Sequence, residues 1–265
     1  KPQLIFNSKG ICSACENAVD KEKIDWTLRR EELETFLNSY KHNDGSVYDC
    51  IVPVSGGKDS TYQTYVIKEE FGLNPLAVSF HPRDFTELGR KNIEVLKNIG
   101  VDCIEFSANP IIYKKLAKFG LTELGDAAWP EHIGLFTIPV QVAVAYKIPL
   151  LIWGENPQQE YGGDKKISSQ AILDKEWNEK HGGYFLDKIK PKDMVKHGIS
   201  IYDLKPYLYP SDEEISKLGI KGIFLGHYLK WDARKQLEVI KKIGFTVADK
   251  PCEGTYTNYE NLDTR

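Results

Sequence analysis

Between Asp49 and Ile67 the chain reads DCIVPVSGGKDSTYQTYVI: an apolar run, a loop with two glycines and a lysine, then a pattern suited to a helix. Gly56 and Gly57 let the backbone pass close to a ligand and take positive φ, turning successive N–H groups inward as an anion nest. A helix opening near Ser60 adds the positive end of its dipole, and Ser55, Lys58 and Ser60 add donors for phosphate. Asp59 in the same loop would repel a phosphate unless a Mg²⁺ lies between the two. The loop lacks the G-x-x-x-x-G-K-[ST] spacing that presents a terminal phosphate for transfer. A Ser-Gly-Gly triplet alone is as well read as a tight turn. All six residues from Ser55 to Ser60, with a strand before and a helix after, carry the phosphate reading.

Other residues stand where chemistry is possible. Glu155 and Asn156 follow the apolar run PLLIW, and either is suited to orient a reacting group; the plain alternative is a helix cap with a solvated carboxylate. Glu131 and His132 open a long apolar stretch as candidates for acid–base work or substrate contact, though a capping or core histidine fits His132 as well. Tyr161 and Tyr256 are candidate substrate contacts among tyrosines that mostly pack. Cys12 and Cys15 make a Cys-x-x-Cys turn, half of a tetrahedral zinc site, or a redox pair, or two unrelated thiols. Cys50 and Cys103 read as small buried hydrophobes.

These residues need a scaffold that brings distant segments together, and the pattern supplies one. Asp25 to Lys41 has helical spacing with Asp25 as N-cap. Tyr48–Val54, Pro75–Phe80, Val101–Ser107 and Pro149–Asn156 read as strands, alternating with helices near Ser60–Phe71, Phe85–Gly100 and His132–Ile148. Strand character returns from Lys221 to Asp232, followed by an amphipathic helix that Gly244 ends. The expected fold is α/β, an open, mostly parallel sheet with helices on both faces. Ligands in such sheets sit at the carboxyl ends of the strands, so the loops after Val54, Phe80, Ser107 and Trp153 are expected to meet. Residues 1–25 read as a small appendage carrying the partial zinc knuckle, residues 26–265 as the main domain, and the polar, lysine-rich stretch of about 160–215 as an inserted helical or loop segment.

With 265 residues the chain can bury a substantial core. A formal net charge of −3 and a pI near 6.1 give no basic footprint, so no nucleic-acid partner is expected. No apolar run spans a bilayer and no signal pattern opens the chain; a cytoplasmic protein without membrane insertion is the expectation. The chain begins with Lys1 rather than methionine, and upstream residues are expected to be missing.

The strand, the loop Ser55-Gly56-Gly57-Lys58-Asp59-Ser60 and the helix together resemble the PP-loop of the ATP pyrophosphatases. That resemblance implies cleavage of ATP between its α- and β-phosphates, pyrophosphate held on the loop, and AMP passed to a substrate oxygen. TELGRKN (Thr86–Asn92), WPEHIG (Trp129–Gly134), IWGENPQQEYGG (Ile152–Gly163) and EGTYTNYENLD (253–263) add a resemblance, over essentially the whole chain, to the N-acetyl sugar amidotransferase family. The implied activity converts the N-acetyl group of a bacterial surface sugar, a nonulosonic acid or a relative, to an acetamidino group.

On this reading Lys58 and the loop amides stabilise pyrophosphate, Asp59 holds Mg²⁺, and Ser79 and Phe80 meet adenine or ribose. The family usually carries a second cysteine pair upstream, which would complete a Cys₄ zinc site, and a helical extension after the tyrosine-rich motif; neither is in this chain. With no glutaminase signature present, the resemblance implies a separate glutaminase subunit as ammonia source. Two other readings remain. A tRNA-thiolating enzyme would want a basic RNA face and cysteines near the catalytic strands, and a non-catalytic nucleotide-binding subunit of a glycan assembly would not need Asp59.

Overall fold

In the computed structural model, residues 5–42, 47–81, 85–160, 171–175, 177, 189–252 and 254–263 are described. The apolar runs form strands β1 (Cys50–Pro53), β2 (Pro75–His81), β3 (Asp102–Ser107), β4 (Leu150–Trp153) and β5 (Lys221–Phe224). All pair in parallel in the order β3-β2-β1-β4-β5. β1, β2 and β4 are buried at every residue, the mark of parallel strands covered on both faces. β3 lies on an edge and carries Asp102 and Glu105, charges that discourage further strand pairing. The other edge, at β5, is met by residues 171–173: Leu173 N–H donates to Gly222 O at 2.9 Å and Phe224 N–H to Ala171 O at 2.8 Å.

Nine α-helices are named here from the described residues: α1 (Ser13–Lys21), α2 (Trp26–Asn38), α3 (Lys58–Tyr65), α4 (Glu87–Asn98), α5 (Pro110–Phe119), α6 (Trp129–Tyr146), α7 (Pro157–Glu160), α8 (Asp212–Leu218) and α9 (Ala233–Lys241). α6 covers one face of the sheet over a core of Ile51, Val78, Phe80, Leu151 and Trp153. On the other face Leu33 and Leu37 of α2 and Val66 and Ile67, in the π-turn that continues α3, pack with Val52, Ala77 and Ile152. Asp25 caps α2 as its type demands, accepting from the N–H groups of Thr27 and Leu28 at 3.1 Å each.

Two expectations are corrected, and one segment left unassigned takes a definite form. Cys12–Cys15, expected as a turn, instead form the N-cap and first turn of α1. The last strand ends at Phe224 rather than near Asp232, because Leu225–His227 wind into a 3₁₀ turn where Gly226 N–H donates to Gly154 O at 3.0 Å. Residues 110–119, not assigned an element from sequence, form α5, with Asn109 as N-cap and Pro110 in its first turn.

Candidate active site

The strand order reverses between β1 and β4, which opens a crevice at their carboxyl ends. The glycine loop leaves β1 into that crevice. Gly56 has φ +84°, and a Cβ there would lie 2.4 Å from the carbonyl oxygen of Gly89 in the first turn of α4, so no other residue fits. Gly57 is the N-cap of α3 and has no side chain to cap the first-turn amides, which leaves them for a ligand. Loop and helix are tied together: Ser55 N–H donates to Ser60 Oγ at 3.2 Å, and Thr61 Oγ1 donates to Gly57 O at 2.9 Å.

Lys58 is buried, 4% exposed, with its Nζ 2.7 Å from Asp59 Oδ1 and 3.5 Å from Glu260 Oε1. The same Asp59 oxygen accepts from the indole Nε1–H of Trp231 at 3.0 Å. Trp231 comes from the loop after β5 and lies against Gly154 and Gly226, while Gly154 also faces Gln63 of α3, whose amide donates to Pro53 O at 2.7 Å. Small residues at 154 and 226 therefore let the ends of β4 and β5 close onto α3.

Glu155 follows Gly154 in this crevice. Burial, reinforced by the Asp59 carboxylate and opposed by Lys58, pushes its carboxyl up to about 7, so it can give or take a proton near neutrality. Asn156 is fully buried and heads α7, its carbonyl accepting from the N–H groups of Gln159 at 2.9 Å and Glu160 at 3.0 Å. α1 docks on this turn: Asn17 Nδ2 donates to Gln159 O at 3.3 Å and Lys21 pairs with Glu160.

The C-terminal segment forms the outer wall. Thr86 donates from its N–H to Asp263 O at 3.0 Å and from its hydroxyl to Leu262 O, and a Cβ on Gly89 would lie 2.8 Å from Asp263 Cα. Burial raises the Glu260 carboxyl above its usual range, with Asp59 and Asp263 adding to the rise and Lys58 opposing it.

The candidate residues fall into three groups. Ser55, Gly56, Gly57, Lys58, Asp59, Ser60, Glu155 and Asn156 share the crevice. Glu131 and His132 lie in the first turns of α6, where His132 Nδ1 pairs with Asp126 at 3.2 Å and Glu131 accepts from the Tyr113 hydroxyl at 3.5 Å. Ser79 and Phe80 are buried in β2, and Phe80 packs under Gly134 and stacks on Phe106. Tyr256 is fully exposed and Tyr161 lies outside the described residues. The backbone N–H of Cys15 and then its thiol hydrogen-bond Cys12 and lower the Cys12 thiol, while the hydrogen bond to Cys12 raises that of Cys15. Among the described residues no three His, Cys, Asp or Glu side chains are grouped to hold a metal, so this pair offers two of the four donors of a structural zinc.

Sequence reasoning missed Trp231, Glu260 and Asp263. Ending β5 at Phe224 would have pointed to Trp231, since the loop then leaves a strand's carboxyl end. The tail motif drew attention to Tyr256 instead of Glu260.

No family model matches the chain. An uncharacterised protein of Methanocaldococcus jannaschii is 33% identical over 103 residues, 38% of this chain and 36% of that protein, so the match spans little more than a third of the relative. Among solved structures, NMN synthetase from Francisella tularensis is similar at 13% identity over 86% of this chain and 99% of that one, with a TM-score of 0.37. That likeness is too loose to bear on activity.

Proposed function

We propose that this chain is an AMP-forming, ATP-dependent enzyme of the PP-loop type, in which the glycine loop and the N-terminus of α3 receive pyrophosphate. One observation carries the reading: uncapped amides, two glycines and a buried lysine converge at the crevice between β1 and β4, with Glu155 across from them. An anion fits there because Lys58 and the helix end offer positive charge. Asp59, held by Trp231, fits the role of a single carboxylate sharing a Mg²⁺ with substrate phosphates. When bound, that Mg²⁺ would neutralise charge developing on the phosphates.

On the sequence resemblance, the acceptor is the amide oxygen of an N-acetylated sugar. That oxygen displaces pyrophosphate from the α-phosphorus of ATP; ammonia then adds to the carbon and AMP leaves with the oxygen, so C=O becomes C=NH. Lys58 and the loop amides stabilise the departing pyrophosphate. Glu155 takes the proton shed by the incoming nitrogen, and Asn156 beside it orients the acetamide. Ammonia comes from a separate glutaminase subunit.

The test incubates the protein with Mg-ATP, ammonium and a panel of N-acetyl sugars, following AMP, pyrophosphate and sugar mass together. AMP and pyrophosphate that depend on a sugar, with the sugar about 1 Da lighter, would support the full reading. ADP and phosphate would overturn the PP-loop assignment, and AMP without a change in any sugar would move the acceptor elsewhere, RNA first.

A further inference from the structure

The segment that walls the glycine loop is held from several sides. Leu262 is 3% exposed in a small core with Leu237, Ile240 and Phe245, Thr86 accommodates the backbone of Leu262 and Asp263, and Asn258 and Ala248 exchange hydrogen bonds at 2.7 and 2.9 Å. Asn261, between the anchored Leu262 and Glu260, has φ +51°, a left-handed turn that asparagine tolerates better than most residues. This anchored turn carries Glu260, whose Oε1 is 3.5 Å from the Nζ of the loop lysine.

Lys58 is 3% exposed at its side chain, and a buried ammonium requires an anion. Asp59 supplies one oxygen at 2.7 Å and Glu260 the second contact. If the loop receives pyrophosphate, as proposed above and on which this inference rests, both the phosphate and Glu260 are candidates for the same ammonium. Asp59, Glu260 and Asp263 already surround this loop, so a phosphate entering with Glu260 in place adds like charge to like charge.

We infer that Glu260 is an intramolecular stand-in for phosphate: it partners Lys58 while the loop is free, competes with the incoming pyrophosphate group, and gives up the lysine when that group binds. Its side chain, 41% exposed, has room to swing outward while Leu262 keeps the backbone anchored. The carboxylate then sets the affinity of the loop for phosphate without being needed to build it.

Calorimetric titration with inorganic pyrophosphate in EDTA tests this on wild type, Glu260→Gln, Lys58→Met and the double variant. Glutamine keeps the shape and removes the charge, so the fold is retained. Glu260→Gln is expected to bind pyrophosphate about threefold tighter, the scale of one partly exposed ion pair. Most of the gain should vanish when Lys58→Met is already present, the remainder being relief of like charge, and adenosine, which has no phosphate, should bind wild type and variant alike. Equal or weaker pyrophosphate binding by Glu260→Gln, or a gain undiminished by Lys58→Met, would overturn the competition while leaving the loop's phosphate role intact. Wild type that binds pyrophosphate no better than Lys58→Met would remove the phosphate loop and the competition together.

Discussion

At Gly56 two constraints coincide, a φ of +84° and a carbonyl oxygen 2.4 Å from where a Cβ would stand. Gly254 has nearly the same backbone, φ +77°, with nothing within 4 Å. Gly254→Ala should therefore cost only the left-handed strain, about 1 kcal/mol, whereas Gly56→Ala adds a backbone clash and should cost about 3 kcal/mol or more. Urea unfolding of the two variants measures the difference directly. Trp231 is a positioning residue of another kind, since it reaches Asp59 only through its indole N–H. Trp231→Phe removes the donor together with the outer ring edge that packs on Gly154, a loss of about 2 kcal/mol or more in stability. If Asp59 serves Mg²⁺, the variant should need more Mg²⁺ for half-maximal AMP formation; an unchanged Mg²⁺ requirement would separate Trp231 from that role. Glu155→Gln should lower AMP formation about 100-fold or more and leave pyrophosphate binding in place.

Among the elements, α2 reaches the end of β5 through one contact with a built-in pH dependence. Arg29 Nη1 donates to His227 Nε2 at 2.7 Å, which requires a neutral imidazole. Burial first and Arg29 second lower the His227 pKa to about 4, against 6.5 for a free histidine. The unfolded chain thus binds this proton more readily than the folded one, and the stability from this contact is full above pH 6.5 and lost as pH falls toward 4. His227→Gln keeps an acceptor for Arg29 without titrating, so its Tm should fall less between pH 7 and pH 5 than that of wild type.

Contacts between residues far apart in the chain show where sequence reading stops. β1, β2 and β4 were legible because strands buried on both faces are continuous apolar runs, and Asp25 and Gly56 because cap and turn chemistry is local. Trp231 on Asp59 joins residues 172 apart, and nothing local in either marks the meeting. α1 escaped for a different reason: it buries only Ser13 and Asn17 and has no apolar stripe to give a period.

For the molecule as a whole, stability is unevenly distributed. The central strands are covered on both faces, whereas α1 is fastened to α7 by Asn17, the Lys21–Glu160 pair and little apolar surface. Amide exchange followed by mass spectrometry should find β1, β2 and β4 exchanging only through global unfolding and α1 at least about 100-fold faster. Equal protection in both would mean that α1 is part of the central cooperative unit.

The tie between Thr86 and Leu262 spans 176 residues, so the outer wall of the glycine loop is translated long after the loop itself. On a ribosome the sheet and the loop can form while that wall is still in the exit tunnel. A nascent chain therefore carries an exposed α3 N-terminus and Lys58 without the Glu260 that partners it in the finished fold, and the site matures only once the wall segment has emerged.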